Sequence, residues 1–213
     1  ASLTYSLSGG ADQGLFSIVS STGVLTFSSA PNFESPTDAD TDNAYVVQVS
    51  ASDGFLADTQ TITVTVTGVD EAPIITTLDG NASSAVSAAE NQTAVTDVDA
   101  TDPEGASVTY SLTGGADQSK FSVVSSTGVL TFINAPNFES PTDADTDNAY
   151  VVEVTASDGS LTDVQTITVT VTDANDPPAI TTLDGNATSA VSAAENQTAV
   201  TDVDATDPEG TSL

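Results

Sequence analysis

The sequence predicts an all-β protein, a tandem array of seven-stranded Greek-key β-sandwiches, and three observations carry that reading. Ile and Val alternate with Thr in TQTITVTVT at 59–67 and VQTITVTVT at 164–172, the period of two that turns one strand face to a core and the other to water. The segment PNFESPTDADTDNAY occurs unchanged at 31–45 and 136–150, so the chain is internally repeated. Gly, Asn, Ser and Pro punctuate the apolar stretches, and no helical period appears.

The repeat has one offset throughout. Tyr5 aligns with Tyr110, Phe16 with Phe121, Asp53 with Asp158 and Glu90 with Glu195, each pair 105 residues apart. A period this long suits one complete domain per repeat, not a solenoid unit. Boundaries fall at the Pro-containing stretches VDEAPI (69–74) and ANDPPAI (174–180). Residues 1–72 then correspond to the C-terminal two-thirds of a repeat, 73–178 to a complete repeat, and 179–213 to the N-terminal third of another. The final TSL re-enters the repeat where the opening ASL begins, so the two ends are complementary. A segment as short as 179–213 cannot bury a useful core alone. The expectation is that it completes residues 1–72 of a neighbouring molecule, head to tail.

Within the complete repeat the strands read in order as A in two pieces, IITT (74–77) and VSAA (86–89); B, AVTDVDAT (94–101); C, VTYSL (108–112); D, FSVV (121–124); E, VLTF (129–132); F, YVVEVTAS (150–157); and G, 164–172. Each is short, rich in β-branched or aromatic residues, and bounded by turn formers. Seven such strands in a repeat of this size indicate immunoglobulin-like topology without the Cys and Trp of antibody domains. Tyr110, Phe121, Phe132, Phe138 and Tyr150 fall in or beside strands and are assigned to the core. Phe55 is the exception: it follows the Asp53-Gly54 turn, where the second copy has Ser160.

Charge restricts function. Thirty-one acidic residues face one base, Lys120, for a formal net charge of −30. Nucleic acid and anionic membrane are excluded as partners, and a compact fold with this much like charge calls for a cation. The chain has no Cys and no His, so neither a disulfide nor a nucleophilic triad is available. Paired carboxylates could hydrolyse glycosides, but here they lie in loops at domain ends, where cation binding explains them better; no enzyme is expected. No apolar run is long enough to insert in a membrane, and the chain does not open with a signal-peptide pattern.

Strand direction sorts the acids. With alternating strands, the A–B and E–F loops and the exit of G share one end of a repeat, and the B–C, D–E and F–G loops share the other. Glu90, Glu139, Asp173, Asn175 and Asp176 therefore meet Asp207 and Glu209 at a lower joint. Glu34, Asp70 and Glu71 likewise meet Asp102, Glu104 and Asp158 at an upper one. Clusters of carboxylate, amide and carbonyl oxygens suit Ca²⁺, whereas Mg²⁺ wants a smaller octahedral site and Zn²⁺ wants nitrogen or sulfur.

These motifs resemble tandem cadherin repeats of the kind found in large bacterial surface proteins. The Glu of AAEN (Glu90, Glu195) is similar to the first-strand Glu of that family, and PNFE to its Asp-x-Glu motif, with Asn137 in place of Asp. TDPE (Asp102 and Glu104; Asp207 and Glu209) resembles Asp-x-Asp, ASDG (Asp53, Asp158) the F–G loop Asp, and DANDPP (Asp173, Asn175, Asp176) the Asp-x-Asn-Asp-Asn linker. The resemblance implies Ca²⁺ at each joint, stiffening an extracellular adhesive rod on a bacterial surface. Copies of the chain itself, a cell-surface protein or a polysaccharide are the implied partners. Two departures weaken the upper joint: GVDEAP places Gly68 where a carboxylate is expected, and the first-strand Glu lies outside the chain unless a neighbour's Glu195 supplies it.

Two matters stay open at this level. DADTDN at 38–43 and 143–148 places Asp38, Asp40, Asp42 and Asp143, Asp145, Asp147 at calcium-loop spacing, without the Gly at position six or the Glu at position twelve of an EF-hand. A solvated acidic loop that deters edge pairing is the other reading. The alternative to an adhesive rod is a carbohydrate-binding module, with exposed aromatics such as Phe55 lining a groove.

Overall fold

Alternating Val and Thr make the longest strands, and those strands organise both parts of the structure. The computed structural model describes residues 2–210, and the chain divides between Glu71 and Ala72 into two units.

The first unit contains β1 (Thr4–Gly9), β2 (Phe16–Ile18), β3 (Leu25–Phe27), β4 (Ala44–Ser52) and β5 (Ala57–Thr65). β4 lies between β1 and β5 in an antiparallel sheet, and β2 pairs with β3. Its buried core is small, Phe16, Tyr45 and Val47, with Phe27, Ile62, Val64 and Val66 half-buried around it. Among the described residues no strand pairs with the outer edge of β5.

The second unit opens with β6 (Ile74–Ile75), β7 (Ser83–Ala89), β8 (Ala94–Asp97) and β9 (Ala100–Thr101), and continues through β10 (Thr109–Gly114), β11 (Phe121–Val123), β12 (Val129–Phe132), β13 (Ala149–Ser157) and β14 (Thr162–Thr172). One sheet has the order β10-β13-β14-β7, the other β11-β12-β8, and β6 pairs with β9. β7 runs parallel to β14 from Ser83 against Thr166 to Ala89 against Thr172. Strand A is thus divided as its sequence implies. Its two pieces are joined by a 3₁₀ turn, Thr77–Gly80, in which Leu78 and Asp79 take left-handed backbone angles of 52° and 67°, so the first piece pairs with strand B and the second crosses to β14.

Strand B, expected to run unbroken over 94–101, is interrupted at Val98 and Asp99. Val98 turns fully into the core, and its N–H donates to the carbonyl of Gly128 at 3.0 Å. Gly128 has φ 74°, and a Cβ there would overlap the Val98 carbonyl oxygen, so this contact requires glycine. Between the sheets pack Ile75, Tyr110, Leu130, Val152, Val154, Ile167, Val169 and Val171, each contributing about 1.5–3 kcal/mol by leaving water. Phe121 stacks on Phe132 at 4.6 Å, and Tyr150 meets Phe132 edge-on at 5.2 Å. Phe138 packs half-buried against this cluster.

The last segment forms only β15 (Ala179–Ile180) and β16 (Ala205–Thr206), an antiparallel pair like that of β6 and β9. Ile180 is 60% exposed and Val203 68%, where their counterparts Ile75 and Val98 are 1% and 0% exposed. The side chains are the same; what differs is that strands C to G cover one copy and no described strand covers the other.

Candidate metal centre

Glu90 directly follows β7 and is buried, which for an unpaired carboxylate requires strong donors. It has them: Oε2 accepts the N–H of Phe138 at 2.8 Å and Oε1 that of Ala174 at 2.9 Å. One side chain therefore ties strand A to the PNFE turn and to the linker after β14. The same juncture gathers Glu139 and Asp173, whose carboxylate oxygens lie with one of Glu90 within 4.8 Å of one another.

A second group shares Glu139. Its oxygen lies within 4.8 Å of oxygens of Asp176 and Glu209. The N–H of Asp176 donates to Glu209 Oε1 at 2.7 Å, and Asn91, with φ 62°, donates its amide to Asp176 Oδ1 at 2.8 Å. Glu209 Oε2 and Asn137 Oδ1 are buried with no hydrogen-bond partner. The Glu209 carboxyl sits above its ordinary value: the Asp176 N–H pulls it down, but the adjoining Asp207 carboxylate and desolvation outweigh that pull. Asn175 instead donates its side-chain amide to the carbonyl of Asp176, and Glu195 is exposed.

The residues expected at the upper joint divide between the two units, Glu34, Asp70 and Glu71 in the first and Asp102, Glu104 and Asp158 in the second. In the first unit, Glu34 and Glu71 border a shallow groove with Phe33, Val66 and Val69. In the second, Asp102 Oδ1 accepts the N–H of Ala106 at 2.9 Å, and Asp158 Oδ1 accepts those of Ser160 and Leu161 at 2.6 and 2.8 Å. Asp102 Oδ2 and Asp158 Oδ2 are both buried and unpartnered. The N–H groups of Leu161 and Ser160 hold Asp158 below the ordinary aspartate value, and those of Leu56 and Phe55 do the same for Asp53.

The two acidic loops form clusters of their own. Oxygens of Asp38, Asp40 and Asp42, and of Asp143, Asp145 and Asp147, lie within 4.8 Å of one another. The Asp42 and Asp147 charges are the main cause pushing Asp40 and Asp145 above the ordinary value. A residue that sequence reasoning passed over anchors each loop. Buried Asp117 accepts the N–H of Ala144 at 2.7 Å on one oxygen and that of Val151 at 2.8 Å on the other; Asp12 does the same for Ala39 and Val46. Its sequence signal was the GGADQ segment that precedes strand D in both copies.

All these donors are oxygens. Buried carboxylate and amide oxygens without partners, gathered where like charges repel, fit a hard cation of the calcium type and do not fit zinc, which would draw on His or Cys. Glu90, Asn137, Glu139, Asp173, Asp176 and Glu209 are the side chains that would hold it at the lower end, and the cation would supply the positive charge that these groups otherwise lack.

Residues 84–172 match the cadherin domain family. Human protocadherin Fat 1 is 30% identical over 188 residues, 82% of this chain and 4% of that protein. Halomucin of Haloquadratum walsbyi is 48% identical over 52 residues, 22% of this chain and 1% of that protein. The chain thus spans a small fraction of the length of these relatives. Among solved structures, the human desmocollin-1 ectodomain superposes with a TM-score of 0.51 at 23% identity, covering 84% of this chain and 35% of that one. Extracellular cadherin domains 3–6 of protocadherin gamma B2 give 0.52 at 23% identity, covering 97% of this chain and 52% of that one. These two likenesses concern the fold.

Proposed function

With residues 84–172 a cadherin domain and the rest of the chain repeating its sequence at 105 residues, we propose that the protein is an extracellular, calcium-dependent adhesive rod of tandem cadherin-like repeats without enzymatic activity. The observation that carries this reading is the lower-end constellation, in which Glu139 belongs to both acidic groups and the Glu209 and Asn137 oxygens are buried without partners. A cation there neutralises carboxylates from the A–B turn, the E–F loop, the linker and the next repeat together, so its binding couples the ordering of all four. The match to halomucin supports a prokaryotic cell surface as the setting. No helix of the described residues is long and apolar enough to cross a membrane.

Assembly is part of the proposal. Ile180 and Val203 expose the side chains that Ile75 and Val98 bury, and the outer edge of β5 is the equivalent of the β14 edge that β7 occupies. The N-terminal third of a repeat carried by one copy then completes the unit formed by residues 1–72 of another, head to tail.

Thermal unfolding and small-angle scattering in excess Ca²⁺ and in excess chelator test the reading. A site filled at a hundredfold excess over its dissociation constant adds about 2.7 kcal/mol, so a rise in melting temperature with a stiffer particle is expected. Indifference to Ca²⁺ in both measurements overturns it. A polysaccharide-binding module is the second reading, favoured by Phe55, which is 93% exposed. It ranks second because sugar platforms use aromatic faces, and the only other exposed aromatic side chain among the described residues is Phe33. Glycan-array binding lost in Phe55→Ala and indifferent to chelator supports it.

A further inference from the structure

The Asp143, Asp145 and Asp147 cluster lies in the same loop as Glu139 but shares no residue with the lower-end groups, and neither does its counterpart of Asp38, Asp40 and Asp42 between β3 and β4. We infer that each loop is a separate binding site for a calcium-type divalent cation, built inside one repeat by Asp143, Asp145 and Asp147, and again by Asp38, Asp40 and Asp42.

Proximity of three carboxylates is not the whole basis. Asp143 is only 4% exposed; its Oδ2 accepts the N–H of Asp147 at 2.8 Å, while its Oδ1 is buried and has no hydrogen-bond partner. Asp38 is equally buried, with Oδ2 accepting the N–H of Asp42 at 2.9 Å and Oδ1 only the long contact from the N–H of Asn43 at 3.3 Å. A buried carboxylate oxygen without a donor is a strong demand for a cation or a proton. Asn148 supplies a second such atom. Its amide nitrogen donates to the Phe138 carbonyl at 2.9 Å, and its Oδ1 is buried and unpartnered, as is that of Asn43 in the first copy.

Counting Asp143 as position one, Asn148 falls at position six, where an EF-hand loop requires glycine for its sharp turn. Asn148 and Asn43 both have φ 65°, so asparagine takes the left-handed conformation there, as it does more readily than other non-glycine residues. The missing glycine is therefore no obstacle. The absent glutamate at position twelve is a real difference, because Val154 and Val49 occupy that position and Val154 is wholly buried in the core. With fewer protein ligands than a complete EF-hand, affinity belongs in the weak range of extracellular modules, roughly 10⁻⁴–10⁻³ M.

Lysine does not serve as the counter-charge. Lys120 is the single base of the chain, and its equivalent in the first copy is Leu15, yet the Asp38 cluster forms all the same. Asp117 and Asp12 hold the loops to the sandwich through Ala144 and Ala39, so the carboxylates are positioned before any ion arrives. The inference does not rest on the joint reading, since no linker or neighbouring residue is needed.

The test counts calcium bound to the full chain by equilibrium dialysis and atomic emission, with D40N/D42N/D145N/D147N against the parent. These four side chains are exposed, and Asn keeps an acceptor for the Ala149 N–H that Asp147 now receives, so an unchanged circular dichroism spectrum is expected. Two fewer ions per chain supports the inference; an unchanged count overturns it. A milder variant, D40N/D145N, guards against a folding defect and is expected to weaken the loop sites at least tenfold. If E139Q/E209Q loses ions while the loop variants lose none, this inference fails and the joint reading stands. A parent chain that binds no calcium overturns both.

Discussion

The N–H of Asp176 donates to Oε1 of Glu209 at 2.7 Å, so the linker itself holds the carboxylate that the next repeat contributes. The other Glu209 oxygen is buried without a partner and adjoins Asp207. A linker amide thus fixes the position of a charge that its surroundings disfavour. Such preorganisation would suit the proposed cation, with the backbone rather than a basic side chain doing the positioning.

Glu90 separates the structural role of this region from its proposed ionic one. It accepts two backbone N–H groups while nearly fully buried, and each charge-assisted bond contributes roughly 1.5–3 kcal/mol. Glu90→Ala is expected to lower stability by about 2–4 kcal/mol even in chelator, and Glu90→Gln by about half as much. Chemical denaturation with and without Ca²⁺ checks this; equal stability of all three proteins in chelator rejects the structural role.

Much of this was legible in the sequence because it follows from periods. Alternation in 164–172 specifies β14, and the 105-residue offset pairs Glu34 with Glu139, Asp53 with Asp158 and Glu90 with Glu195. Other features were not legible because they depend on where a chain crosses between sheets. The break at Val98 arises from the Gly128 contact, which joins residues distant in sequence. Asp117 and Asp12 were passed over, since the pair of N–H groups that converges on each comes from residues distant in sequence. The acidic loops were legible as ligand spacing, but the buried, unpartnered oxygen of Asp143 appears only in three dimensions.

Gln165 and Gln60 are the same residue in two environments. Gln165 is 1% exposed, and its Nε2 donates to the carbonyls of Thr77 and Asn81, both at 2.9 Å, latching strand A to β14. Gln60 is exposed on β5. Gln165→Ala leaves two carbonyls without their donor and is expected to cost about 1–3 kcal/mol, while Gln60→Ala stays within about 0.5 kcal/mol of the parent. Comparable losses from the two substitutions in urea unfolding reject the latch.

The pH dependence has a definite sign. Asp53 and Asp158 are held below the ordinary aspartate value of 3.8 by backbone N–H donors, so their contribution is fully present above that value. It disappears as pH falls through their lower folded values. Glu209 is raised above its ordinary 4.5, so its charge opposes folding as pH climbs past that point. In chelator the melting temperature should therefore fall as pH drops below 3.8, and Glu209 should lower it as pH rises from 4.5 to its raised folded value. Asp53→Asn with Asp158→Asn should flatten the acid side; an unaltered acid limb contradicts the assignment.

Val98 and Val203 test assembly, because they are equivalent residues with opposite surroundings, one fully buried and the other 68% exposed. Placing a carboxylate at Val98 puts an unpaired charge in the core and is expected to cost more than about 4 kcal/mol, enough to unfold the second unit. Val203→Asp meets water and should leave the melting temperature of the dilute chain unchanged. If a second copy covers this segment, the same substitution should abolish concentration-dependent association in sedimentation velocity, since the charge would then enter the site that Val98 fills in the complete repeat. Association that survives Val203→Asp sinks the head-to-tail reading while leaving the proposal of calcium at the joint untouched.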